Sequence, residues 1–311
     1  MKNFEIVIDS SADLNKELRE RFDIYPEYLR GVIYLPEGKE QLADLEWANQ
    51  SSADYYKVVK SKPGIVHTAF PTAEEFVRVI EPILKDGKDV LLFAMSSGMS
   101  GTYNSFKVNA DMLLEDYPER KIAVVDSLKY SSATGVLAIK ASELRKEGKT
   151  LEEVATIMNE IKFNLHEGGA MDDLRFLAAS GRLSFGKAFF GQMAGVQPFA
   201  DFTVDGKSVP LGTLKGAKLV DECTLYYMEK LGEDLSNQTI LIAHSNRLER
   251  ALKYKEAIQA KFNPKEIIIT EVGESCGANI GPGLCCFFFY GKKMEADRAL
   301  ETAVFTEYKG K

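Results

Sequence analysis

Eight residues concentrate the chemistry that this chain could perform: Ser96-Ser97-Gly98-Met99-Ser100-Gly101-Thr102-Tyr103. Hydroxyls and small residues between an apolar run and a helix-like run gather free N–H groups at a helix start, where negative charge is favoured. One use of such a loop is as a nucleophile elbow, G-x-S-x-G. Gly98-Met99-Ser100 matches its first half, but Thr102 stands where the last glycine belongs. A serine nucleophile also needs a base. The chain offers His67, His166 and His244, and the α/β-hydrolase order of nucleophile before base leaves His166 or His244. A second use is phosphate binding. No lysine follows Gly101, as a P-loop requires, and Gly98 with Gly101 leaves the dinucleotide fingerprint incomplete.

Binding without chemistry is the third use. Ser100, and Thr68 ahead of Pro71, each supply a neutral hydroxyl at a helix start. Neutral donors suit a carboxylate, which accepts up to four hydrogen bonds, whereas phosphate sites usually recruit Lys or Arg as well. The plain alternative is that serines and glycines after a strand simply cap the next helix and form its turn.

These loops need strands and helices to hold them. Phe4 to Ile8 reads as a first strand, and Asp9-Ser10-Ser11-Ala12-Asp13 as caps for a helix running to about Arg21. Tyr28 to Leu35 alternates like a strand. Pro71 suits the first turn of a helix that runs to about Lys85, with Glu74 and Glu75 at its positive end. Val90 to Met95 forms the strand before the serine loop, and Asn104 to Leu114 the helix after it. Ile122 to Ser127, a helix from Ser131 to Lys146, and the capping-box signature Thr150-Leu151-Glu152-Glu153 follow. Apolar strands alternating with helices predict a largely parallel sheet covered on both faces.

The second half changes character. Val204-Asp205-Gly206-Lys207 is a hairpin turn signal. A helix near 217–232, a strand Thr239 to Ala243, a helix to about Lys261 and a strand Glu266 to Val272 come next. Gly273 to Gly283 reads as a second glycine-rich loop before the apolar strand Leu284 to Tyr290. The expected fold class is therefore α/β with two domains: residues 1–160 an N-terminal α/β domain carrying the Thr68 and Ser100 loops, residues 161–311 a C-terminal α+β domain. At 311 residues the chain exceeds what one core usually fills.

Composition narrows the partners. With a formal net charge of -7 and no long Lys/Arg block, nucleic acid and anionic membrane surfaces are poor candidates. No apolar run approaches the ~18 residues of a membrane helix. The acidic residues in the N-terminal run mark a strand rather than a signal peptide. The expectation is a soluble cytoplasmic protein. Cys223, Cys276, Cys285 and Cys286 show no C-x-x-C spacing and read as small buried hydrophobes in a reducing cell, so no metal or cofactor is expected.

Several motifs together resemble the DegV family. They are Ile6-Val7-Ile8-Asp9-Ser10-Ser11-Ala12-Asp13-Leu14, the Ser96–Tyr103 loop, Val125-Asp126-Ser127, Asp173-Leu174-Arg175-Phe176-Leu177, Gly181-Arg182-Leu183-Ser184 and Gly281-Pro282-Gly283, in family order. The resemblance implies a non-catalytic carrier with a three-layer N-terminal domain, an α+β second domain and a tunnel between them for one long-chain fatty acid. It implies a separate fatty acid kinase as partner. Thr68 and Ser100 become carboxylate ligands, with Ser97, Gly101 and Thr102 supporting the loop. Asn279 stands where the family usually has histidine; it still donates but cannot become cationic. Gln197-Pro198 replaces a Lys-Pro pair, and Lys215 a frequent arginine. The acyl tail would line up with Phe93, Met95, Phe185, Phe189, Phe190, Met193, Phe287 and Phe289. Arg175 and Arg182 are the candidates for partner contact.

Overall fold

The computed structural model describes residues 4–182 and 196–310. In chain order the first half contains β1 (Phe4–Ile8), α1 (Lys16–Arg21), β2 (Val32–Tyr34), β3 (Glu40–Leu42), α2 (Ser52–Ser61), β4 (His67–Ala69) and α3 (Ala73–Lys85). It continues with β5 (Asp89–Ala94), α4 (Thr102–Asp116), β6 (Ile122–Asp126), α5 (Ser132–Lys146) and α6 (Leu151–Ile161). The second half contains β7 (Leu165–Met171), α7 (Arg175–Ala179), β8 (Val196–Phe202), β9 (Ser208–Lys215), α8 (Ala217–Leu231) and β10 (Thr239–His244). Then come α9 (Leu248–Phe262), β11 (Glu266–Glu271), α10 (Glu274–Ile280), β12 (Leu284–Tyr290) and α11 (Ala299–Lys309).

The chain forms two compact units. The first comprises Met1–Ser51, Val66–Lys162 and Gly273–Cys276; the second comprises Ser52–Ile65, Phe163–Val272 and Gly277–Lys311.

In the first unit β1, β5 and β6 form a parallel sheet in the order β1-β5-β6. Alternation along the strands splits the apolar side chains between two faces. Val7, Val90, Leu92 and Ala94 pack on Phe76, Val79, Ile80 and Ile83 of α3 and on Phe106, Ala110 and Leu113 of α4. Ile6, Ile8, Leu91 and Phe93, also buried, face the other way, and α5 and α6 pack on β1 and β5. The unit is thus a three-layer α/β sandwich. A small antiparallel sheet, β3-β2-β4, belongs to the same unit. Thr150 and Glu153 complete the capping box that starts α6.

Two local expectations are corrected here. The Asp9–Asp13 stretch does not cap α1: Asn15 does, accepting the Leu18 N–H at 3.0 Å. Likewise Pro71 lies one residue before the cap of α3 rather than in its first turn; Thr72 is the cap and accepts the Glu75 N–H at 3.2 Å.

The second unit has a mixed sheet, β11-β10-β12-β7, and the hairpin β8-β9. β10 and β11 run parallel, and the other pairs are antiparallel. Ile240, Ile242, Cys285, Phe287, Phe289 and Ala170 join Val220, Cys223, Tyr227 and Met228 of α8 and Ala251, Tyr254 and Ile258 of α9 in one core. This is α+β layering. Gly273 to Gly283 is not one loop, as its glycines suggest. Glu274–Ile280 is a helix, and only Gly281 to Gly283 turns the chain into β12. Gly277 is there for space: a Cβ at that position would stand 2.7 Å from the Tyr56 hydroxyl.

Candidate functional site

The carboxyl ends of β1, β5 and β6 each run into a polar loop, and hydrogen bonds from backbone amides to backbone and Asp side-chain oxygens join the three. Ser96 donates its N–H to Lys129 O at 2.9 Å, and Ser127 donates to Ala94 O at 3.1 Å. Met95 donates to Asp9 Oδ2 at 3.1 Å. Ser97 and Leu128 both donate to Asp126 Oδ1, each at 3.1 Å. Inside the serine loop, the Met99 and Ser100 amides converge on Ser96 O at 3.1 and 3.0 Å, and the Gly98 amide reaches Ser96 Oγ at 3.1 Å. Ser96 therefore shapes the turn from inside while Ser100, partly exposed, sits at the mouth of α4.

Gly101 is the residue before α4, with no side chain to cap it. Ser100 Oγ takes that role in part, accepting the Thr102 N–H at 3.3 Å and lying 2.7 Å from Thr102 Oγ1. No acidic residue occupies the first turn of α4, whereas α3 carries Glu74 and Glu75 there and α6 carries Glu152 and Glu153. The positive end of α4 is thus left without a countercharge of its own, a setting that favours an outside anion.

Thr68 is half-buried on β4, opposite Ile33 of β2. Phe70, 46% exposed, follows it, and a Cβ on Gly101 would stand 3.1 Å from the Phe70 ring. The Thr68 strand end and the Ser100 loop are therefore neighbours within the first unit. Ser97, Gly101 and Thr102 all belong to this arrangement. Phe93 is fully buried in the sheet, and Met95 is half-buried at the strand exit.

Behind the loops lie two buried carboxyls that sequence reading treated as helix caps. Asp9 accepts the Ser11 amide at 2.7 Å, the Ser11 hydroxyl and the Met95 amide. Asp13 accepts the hydroxyls of Ser131 and Ser132 and the Gly273 amide at 2.8 Å. Burial raises both carboxyls above the ordinary Asp value against the lowering effect of these hydrogen bonds, and Asp13 is pushed up to about 6. The Cys276 thiol, buried and close to Asp13, is raised as well. Asp9 lies just beyond the end of β1 and is followed by Ser10, and Asp126 ends β6 and is followed by Ser127, so the repeated Asp-Ser pair was the available signal for Asp9; Asp13, followed by Leu14, carried none.

The remaining candidates lie apart from this cluster in the chain. Asn279 is half-buried in α10, and Phe287 and Phe289 are fully buried in the second unit's core. Phe185, Phe189, Phe190 and Met193 lie outside the described residues. Arg175, largely exposed, grips Asp173 with Nε and Nη2 at 3.0 and 2.7 Å. Arg182 donates to Ser180 O. Gln197 donates to Asp172 Oδ1 at 2.8 Å.

For hydrolysis Ser100 needs a base, and its hydroxyl partner is Thr102. His166 and His244 belong to the second unit. Both ring nitrogens of His166 are engaged, by Asp201 and by Lys292 O. His244 is buried, which lowers its pKa, and its Nδ1 accepts the Arg247 amide at 3.4 Å. Among the described residues no group of three or more His, Cys, Asp or Glu could hold a metal ion, and no helix is long and apolar enough to cross a membrane.

A three-layer α/β unit with hydroxyl loops at the carboxyl ends of its parallel strands, and an α+β unit, make up the two-unit architecture of the chain. The family model described as "Uncharacterised protein, DegV family" matches residues 3–292, and the chain belongs to the DegV family. It is 32% identical over 296 residues to a DegV domain-containing protein of Clostridium perfringens, covering 95% of this chain and 100% of that one. Among solved structures it resembles DegV of Bacillus subtilis, described as a fatty acid binding protein. That match has 26% identity, a TM-score of 0.76, and coverage of 94% of this chain and 100% of the other. It also shares its fold with the Streptococcus pneumoniae fatty acid kinase (Fak) B3 protein loaded with linoleic acid. There the identity is 19% and the TM-score 0.78, covering 93% and 100% of the two chains.

Proposed function

We propose that this protein binds a long-chain fatty acid without transforming it, holding the carboxylate with Thr68, Ser100 and Asn279 and the tail against apolar side chains. The supporting observation is the positive end of α4, with no acidic residue in its own first turn and the Ser100 hydroxyl at its mouth, in a chain similar along its length to the Bacillus subtilis fatty acid binding protein. A carboxylate fits neutral donors at a helix terminus. The tail supplies most of the affinity, at roughly 0.8 kcal/mol per buried CH₂. The proposal extends to a cytoplasmic setting, in keeping with four free, buried cysteines, and to presentation of the acid to a fatty acid kinase. The fold shared with the pneumococcal Fak B3 protein motivates that last step.

Native mass spectrometry of protein purified from a bacterial host tests the binding. The expected result is an adduct of a few hundred daltons that denaturation releases as free fatty acid. An empty protein that also fails to take up added oleate would sink the proposal. Covalent labelling of Ser100 by a fluorophosphonate would instead favour a serine hydrolase.

A further inference from the structure

Thr102 is 4% exposed, and its hydroxyl has one hydrogen-bond partner among the described residues, Ser100 Oγ at 2.7 Å. Either oxygen could carry the shared proton. Were Ser100 the donor, the Thr102 hydrogen would be left buried with no acceptor, which is the costly arrangement for a hydroxyl. With Thr102 donating, its hydrogen is satisfied and only a lone pair goes unused. The Thr102 backbone N–H points the same way, reaching Ser100 Oγ at 3.3 Å. Both lone pairs of Ser100 Oγ are then occupied by one residue. A hydroxyl has two acceptor sites and one proton, so only the proton is left for a ligand.

We propose that Thr102 is a positioning residue that makes Ser100 an obligate hydrogen-bond donor, so that the loop selects an acceptor-only headgroup, an ionised carboxylate. The inference rests on the function proposed above and deepens it. It also explains why the same serine is ill-placed as a nucleophile: its lone pairs are spoken for and, among the described residues, no base is hydrogen-bonded to it. The Gly-Thr pair that spoils the elbow pattern is what tunes the serine for binding.

The test is a double-mutant cycle read by calorimetric titration with oleate and with oleyl alcohol, the uncharged probe. T102V keeps the shape of threonine and removes the hydroxyl; it should weaken oleate about fivefold, the usual scale for one hydrogen bond. Oleyl alcohol, which does not depend on a fixed donor, should change by less than about twofold. T102S should restore oleate binding. In an S100A background, which loses a similar factor by itself, T102V should add nothing further. Full T102V loss in the S100A background, or equal losses for oleate and oleyl alcohol, would show that Thr102 acts through the fold and would overturn the inference. Oleate binding that responds to S100A but not to T102V also removes the role of Thr102 and leaves the proposed function standing. Wild-type protein that binds no oleate overturns both. Thermal unfolding of each variant separates a folding defect from a binding one, and T102S keeps the inference testable if T102V unfolds.

Discussion

Asp126 Oδ1 accepts the backbone N–H of Ser97 at 3.1 Å, and the same oxygen accepts that of Leu128. One carboxylate oxygen at the end of β6 therefore holds both its own turn and the serine loop after β5. Removing it should free two amides and loosen the Ser97–Ser100 backbone. Asp126→Ala is expected to cost about 1–2 kcal/mol of stability and to weaken oleate several-fold, whereas Asp126→Asn, which keeps an acceptor oxygen, should preserve most of both. Urea unfolding and oleate titration of the two variants check this. An Ala variant with unaltered oleate affinity would mean that the loop holds its shape without Asp126.

Much of this loop was legible because its determinants are local. A strand, a run of small polar residues and a helix follow one another between residues 90 and 114, and their order alone defines a helix mouth. The Thr150 capping box was legible for the same reason. Asp9 was not: its partner Met95 is 86 residues away, so Asp-Ser-Ser read as a helix cap when it is a tie between two strand ends. α10 was hidden by the opposite error. Gly273, Gly277, Gly281 and Gly283 look like a flexible loop, yet only Gly281 and Gly283 have the positive φ, +71° and +112°, that calls for glycine. Gly277 answers to the Tyr56 hydroxyl packed on it. The insertion of Gly273–Cys276 into the first unit likewise rests on distant contacts, such as Ser275 Oγ with Ser10 Oγ at 2.7 Å, that no local pattern records.

Asp13 gives a pH signature with an unusual sign. Its folded pKa, about 6, lies above the ordinary Asp value of 3.8, so the folded state holds a proton that the unfolded chain has lost. Stability from this group is fully present below the unfolded value and falls as pH rises through the folded one. Asp13→Asn removes the titration and tolerates the left-handed backbone, φ +53°, at that position. The wild type should lose stability relative to Asp13→Asn between about pH 4 and 7, by no more than about 3 kcal/mol. Chemical denaturation of both proteins at stepped pH measures the difference, and a constant difference across that window would contradict the assignment.

His166 and Asp201, both fully buried in the second unit, behave in the opposite sense. Asp201 Oδ2 meets His166 Nδ1 at 2.6 Å and the Tyr227 hydroxyl at 2.6 Å, while Oδ1 accepts the Glu167 and Phe202 amides at 2.8 and 2.7 Å. His166 Nε2 lies 2.7 Å from Lys292 O. A carboxylate and a carbonyl only accept, so both ring nitrogens carry protons and the pair is an ion pair. Burial raises the Asp201 carboxyl, but the His166 charge and these hydrogen bonds outweigh it and leave the pKa below the ordinary value. Its stabilisation is present above the unfolded pKa and lost as pH falls through the folded one. Asp201→Asn should destabilise by about 3–5 kcal/mol near neutrality, as expected when one partner of a buried pair is removed. The wild-type advantage should shrink in acid; a pH-independent loss would argue against a charged pair.

The proposed division of labour between headgroup and tail is itself measurable. If the tail contributes roughly 0.8 kcal/mol per CH₂, affinity for saturated fatty acids should rise about fourfold per added methylene until the apolar lining is filled. Ser100 touches only the carboxylate in this reading, so Ser100→Ala should lower every affinity by one constant factor of about five and leave the slope unchanged. Thr68→Val should do the same. Titration of wild type and the two variants with acids of increasing length yields lines that differ in height and not in gradient. A change of gradient in Ser100→Ala would mean that the serine loop senses the chain and not the headgroup. Lines that coincide with the wild type would remove Ser100 from the site.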